Sequence, residues 1–141
     1  MKKALALVTA TLLAVLLLAS CNTPLPGDLN ADDLKAATRA AGDAIVARDY
    51  DAFIALFDAD TQEEYGATMA AEDLAAFYNP MLDGLGEYKE ISGLEVGPYK
   101  DANGNEYGIV LIDQKFANGT LSHTATFNLD GELIGFGIRN A

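Results

Sequence analysis

Two short turn signals near the C-terminus, Asn118-Gly119 and Asp130-Gly131, constrain this chain more than any other feature. Both dipeptides favour the tight hairpin turns whose backbone matches the twist of the flanking strands. Counting outward from the first turn pairs Phe116 with Leu121, Gln114 with His123, Ile112 with Ala125 and Val110 with Phe127. Counting from the second pairs Phe127 with Ile134, Ala125 with Phe136 and His123 with Ile138. All of these residues fall on one side of the sheet. The other side collects Lys115 with Ser122, Asp113 with Thr124, and Ser122 with Arg139. A slip of one residue would invert both faces, so two independent turns agree on one apolar and one mixed face. A further strand is expected over Tyr88 to Val96, joined through Asp101-Ala102-Asn103-Gly104.

The first half of the chain reads as helix. Asn30 is placed to cap a helix whose first turn holds Asp32 and Asp33, acids that suit the positive end of its dipole. Leu34, Ala37, Ala41, Ala44 and Ile45 recur at helical spacing, with Thr38 the one polar residue on the stripe. Tyr50, Phe53, Ile54 and Phe57 mark a second short helix, and Thr61 with Glu64 suggests a capping box for a third. Leu74, Phe77, Tyr78, Met81, Leu82 and Leu85 mark the last helix, with Pro80 expected to bend it and Gly84 and Gly86 to end it. An apolar sheet face needs a cover, and these stripes supply it. The expected fold is α+β, with N-terminal helices packed on one face of an antiparallel sheet.

The N-terminus carries a different message. Lys2-Lys3, the mostly apolar run from Ala4 to Leu18, and Leu18-Ala19-Ser20-Cys21 follow the order of an export signal. With cysteine at the first mature position, the tetrapeptide resembles the lipobox of bacterial lipoproteins. That resemblance implies cleavage between Ser20 and Cys21 and lipid on the Cys21 sulfur, and two or three acyl chains hold firmly to a bilayer. The expected organisation is a signal peptide over 1–20, a lipid-anchored tether over 21–29 and one domain over 30–141. Asn22-Thr23-Pro24-Leu25-Pro26-Gly27-Asp28-Leu29 reads as a tether with little to pack. The protein is expected in the cell envelope outside the cytoplasm. Asn22 is not the aspartate that retains enteric lipoproteins in the inner membrane, so a host with two membranes would carry it on the outer one.

Removing residues 1–20 leaves 121 residues, seven cations and 21 acids, a formal charge of −14. Nucleic-acid binding needs a basic footprint, and this composition excludes it. Anionic headgroups would repel the same surface, so membrane attachment is expected through the lipid alone. Cys21 is the only cysteine, which excludes an intrachain disulfide.

Ala47-Arg48-Asp49-Tyr50-Asp51-Ala52-Phe53 with Leu56-Phe57-Asp58, then Leu85-Gly86-Glu87-Tyr88, then Leu129-Asp130-Gly131-Glu132-Leu133-Ile134-Gly135 resemble the uncharacterised bacterial and archaeal domain family numbered 3887. The layout is similar to the nuclear transport factor 2-like (cystatin-like) superfold, which implies a cone with a cavity between helices and curved sheet. Some family members precede an α/β hydrolase domain. This chain has no nucleophile elbow, so no hydrolase activity carries over, and a superfold is a weak guide to function.

His123 is the single histidine, and Gln114, Tyr50 and Tyr78 are the other polar side chains expected to line the cone. A histidine there is either an acid/base group or a hydrogen-bonded core residue. Enzymes of the superfold, such as ketosteroid isomerases and scytalone dehydratase, hold an Asp or a His–Asp pair in the cone. Asp113 points to the opposite face from His123 by parity. Asp101-Ala102-Asn103-Gly104-Asn105-Glu106 fails as a calcium loop, with glycine at the fourth position and Ile112 at the twelfth. No metal site or cofactor is expected. The leading expectation is non-catalytic binding of a small apolar ligand or an envelope protein partner. The alternative is an isomerase- or dehydratase-type enzyme using His123, and a homodimer through the mixed sheet face is a further reading.

Overall fold

In the computed structural model, residues 24–66 and 70–139 are described. Helix α1 (Ala31–Val46) starts where the sequence places it, with the Asn30 side chain accepting from the backbone N–H groups of Asp32 and Asp33. Leu34, Thr38, Ala41 and Ile45 form its buried stripe. Thr38 is tolerated there because its hydroxyl donates to the Leu34 carbonyl at 2.8 Å. Arg48, at φ 58°, turns the chain into α2 (Tyr50–Ala55), capped by Asp49.

Helix α3 (Ala59–Tyr65) corrects the expected capping box. Asp58 is its cap, accepting from the Thr61 N–H at 3.1 Å, and Thr61 lies buried inside the helix. Aspartate three residues ahead outcompetes the threonine because its carboxylate is the better acceptor for the first-turn donors. Helix α4 (Ala71–Leu85) accommodates Pro80 and runs through Gly84. It stops at Gly86, whose φ of 76° only glycine adopts without strain.

The four strands, β1 (Tyr88–Lys100), β2 (Glu106–Phe116), β3 (Gly119–Phe127) and β4 (Leu133–Ile138), pair antiparallel in sequence order. Strand β1 runs four residues past the expected end at Val96. The Asp101 carboxylate closes the β1–β2 turn by accepting from the N–H groups of Asn103 and Asn105, both at 2.9 Å.

The first hairpin corrects the expected register by two residues. Phe116 pairs with Gly119, Gln114 with Leu121, Ile112 with His123 and Val110 with Ala125. On the mixed face, Asp113 pairs with Ser122 and Lys115 with Thr120. The tight turn is Ala117-Asn118, so Gly119 opens β3 instead of sitting in the loop. An even shift leaves every side chain on its expected face. In the second hairpin Ala125 pairs with Phe136 and His123 with Ile138 as counted, but an irregularity beside Phe127 gives it Leu133 as partner in place of Ile134. Leu133 is accordingly the buried residue. The start of β4 is met by the connection between α2 and α3, where Phe57 bridges to Leu133 and the Asp58 N–H donates to the Leu133 carbonyl.

Helices α1, α2 and α4 cover the inner face, where Ile45, Phe53 and Leu82 meet Val110, Phe116, Leu121 and Phe127. The expected tether is part of this packing. Leu25 and Leu29 lie against the core, and Gly108 lets Leu29 and Leu34 approach so closely that a Cβ there would sit 2.7 Å from Leu34. Pro and Gly in 24–29 therefore shape a packed strap. Leu29→Ala is expected to lower the unfolding free energy by about 1–2 kcal/mol in a urea titration, whereas a free tether would show no change.

Candidate functional site

The inward parity of β3 carries His123 under α4, the helix that covers this part of the sheet. Its side chain is fully buried, its Nε2 lies 3.0 Å from the Tyr78 hydroxyl, and its ring stacks on Phe136 at 4.5 Å. Burial alone pulls the His123 pKa down to about 3, with no carboxylate contributing. The imidazole is therefore neutral across the physiological range. Burial likewise pushes the Tyr78 hydroxyl well above its ordinary value.

Tyr50 extends the same group. Its ring lies nearly parallel to that of Tyr78, centroids 6.1 Å apart, and its hydroxyl donates to Asn79 Oδ1 at 2.7 Å. The three aromatic residues thus stand in one row from α2 through α4 to β3. Gln114 is separate. It is fully buried beneath Gly42 of α1, and neither its Nε2 nor its Oε1 has a hydrogen-bond partner among the described residues. The structure therefore brings together His123, Tyr78 and Tyr50 and leaves Gln114 to itself. Ser20 and Cys21 lie outside the described residues.

On the mixed face, Asp113 accepts from Ser122 Oγ at 2.6 Å and pairs closely with Arg139. The sheet separates this cluster from His123, so no His–Asp pair forms. Among the described residues no group of three or more His, Cys, Asp or Glu side chains is arranged to hold a metal ion. No helix among them is long and apolar enough to cross a membrane.

Two shallow clefts among the described residues lie elsewhere, at opposite ends of the β3–β4 hairpin, and both are open to solvent. One, of about 340 Å³, is walled by Met81 and Leu85 of α4 with Leu121 and Ile138 of the sheet, and rimmed by Thr120, Ser122 and Arg139. The other, of about 380 Å³, lies between Asp28, Leu29, Asn30, Asp33 and Leu34 at the start of α1 and Leu129, Asp130 and Gly131 in the β3–β4 turn. Neither is lined by His123, Gln114, Tyr50 or Tyr78. Sequence reasoning placed Met81, Leu85, Leu121 and Ile138 on buried stripes. The missed signal is that these positions lie where a helix and two strands end together, so Met81, Leu85 and Ile138 are only partly covered by the described residues.

The model of a family described as "Protein of unknown function (DUF3887)" matches residues 42–136. No curated protein matches the chain. An NMR structure of a protein from Ruminococcus gnavus ATCC 29149 is similar in fold, with a TM-score of 0.63, at 20% sequence identity, over 79% of this chain and 93% of that one.

Proposed function

The chain belongs to this family of unknown function, and from that premise we propose that it is a lipid-anchored, non-catalytic binding module of the cell envelope. Its working surface in this reading is the cleft between α4 and the β3–β4 end. The observation that carries it is the state of the interior. The polar side chains that a catalytic cone would use are sealed, and the histidine among them is neutral and bonded to a tyrosine. The cleft offers the opposite: it is open to solvent and lined by the apolar Met81, Leu85, Leu121 and Ile138 together with Thr120, Ser122 and Arg139.

Its shape favours one kind of occupant. A small ligand gains affinity by burying most of its surface in an enclosed pocket, and this cleft is open along one side. An apolar segment of an envelope protein, whose remaining surface stays in water, suits it better. Support for the anchor comes from Lys2-Lys3, the apolar run to Leu18 and Ser20-Cys21.

A photo-crosslinking residue placed at exposed Thr120 in the protein's own host is expected to give a discrete adduct with an envelope protein. Met81→Arg should abolish that adduct, and a crosslinker in the exposed turn at Asn103 should give none. Equal labelling from both positions would overturn the assignment of the cleft.

A further inference from the structure

We propose that the pole formed by Leu25, Leu29 and the β3–β4 turn rests against the bilayer, with Leu129 entering its interfacial layer. This rests on the lipid-anchor reading of Cys21 and adds an orientation to it. The packed body begins at Leu25, so only four Cα-to-Cα steps separate its Cα from that of Cys21. Fully extended, they reach about 14 Å. A domain of this length has a radius of gyration of about 14 Å, hence a width more than twice that reach. Such a tether cannot let the domain roll over, and it holds the Leu25 end toward the lipid.

At that end the fold presents an apolar side chain where turns are ordinarily polar. Leu129 is 48% exposed, at the tip of the β3–β4 turn and beside Gly27 of the strap. The tip is held firmly. The Asn128 side chain accepts from the N–H groups of Asp130 and Glu132, and the Gly131 N–H donates to the Asn128 carbonyl. Asp28, Asp33 and Asp130 line the same cleft as the leucine. These acids oppose anionic headgroups, so one leucine cannot bind the bilayer unaided and contact follows only after the lipid has brought the pole there. From Leu121 to Phe127 β3 rises about 20 Å, and Leu129 lies beyond that end, in the turn. The α4 cleft therefore faces away from the membrane, toward whatever approaches from outside.

The test uses the full-length protein processed and lipidated in its host and reconstituted into phosphatidylcholine vesicles containing a lipid with a nitroxide near its headgroup. With Cys21 acylated, Leu129→Cys and Thr120→Cys each supply one free thiol for a fluorophore. The interfacial layer is only about 5–10 Å deep, so quenching at 129 is expected to exceed that at 120 by about threefold or more. Equal quenching, or stronger quenching at 120, would overturn the orientation while the anchor stands. Mass spectrometry of the same sample reads the anchor separately, because an unmodified Cys21 thiol in the intact mature chain would remove that reading and the orientation with it.

Discussion

Gln114→Met is expected to raise the unfolding free energy by roughly 1–3 kcal/mol, the ordinary cost of a buried polar group left without a partner. The side chain is fully buried on β2, and both of its amide atoms are unpaired among the described residues. The Tyr88 hydroxyl comes near the amide without closing a bond of normal geometry. Methionine has the same unbranched reach, fills the space under Gly42 and carries no group that needs a partner. The measurement is a urea titration at neutral pH, with the midpoint moving up at unchanged slope. Gln114→Ala gives the control of opposite sign, because a cavity under α1 should cost about 2 kcal/mol or more. A loss of stability in the methionine variant would mean that the amide is engaged after all.

The second large effect is a dependence on acidity set by His123. Its pKa is about 3 in the folded protein and 6.5 in a free side chain. Between those values the unfolded chain takes up a proton that the native state refuses, so stability falls as pH falls. The contribution is fully present above pH 6.5 and is lost at up to about 1.4 kcal/mol per unit below it. From pH 7 to pH 5 the loss should be about 2 kcal/mol. The many carboxylates act on the same curve, so the readout is the difference in slope between wild type and His123→Gln. The glutamine variant has no proton to take up there and should lose less on acidification. Equal slopes would show that His123 does not stay neutral in the folded state.

The two faces of the sheet were legible because side-chain parity survives an even error. The turn expected at Asn118-Gly119 lies one step earlier, at Ala117-Asn118, since Gly119 is a strand residue opposite Phe116. Partners moved by two places and faces by none. Leu133 was missed for the opposite reason. The irregularity beside Phe127 changes parity, and alternation alone carries no sign of it. The candidate site was legible only in part. That His123 points inward follows from counting, but its partner Tyr78 arrives from a helix 45 residues away, a distance no local pattern encodes. Leu25 and Leu29 were hidden by their neighbours, because Pro24, Pro26 and Gly27 give a linker's composition to a segment whose leucines are anchored in the core.

The loop bridge from Phe57 and Asp58 onto Leu133 has a consequence for how copies coexist. It blocks one margin of the sheet against an incoming strand just where β4 starts. The opposite margin is β1, where Pro98 lacks a donor, two irregularities break the ladder, and Lys89, Glu90, Glu95 and Lys100 put charge along the rim. Each is a deterrent to strand-on-strand growth. Molecules crowded side by side would thus have no clean template on which to polymerise, and each would keep its own sheet.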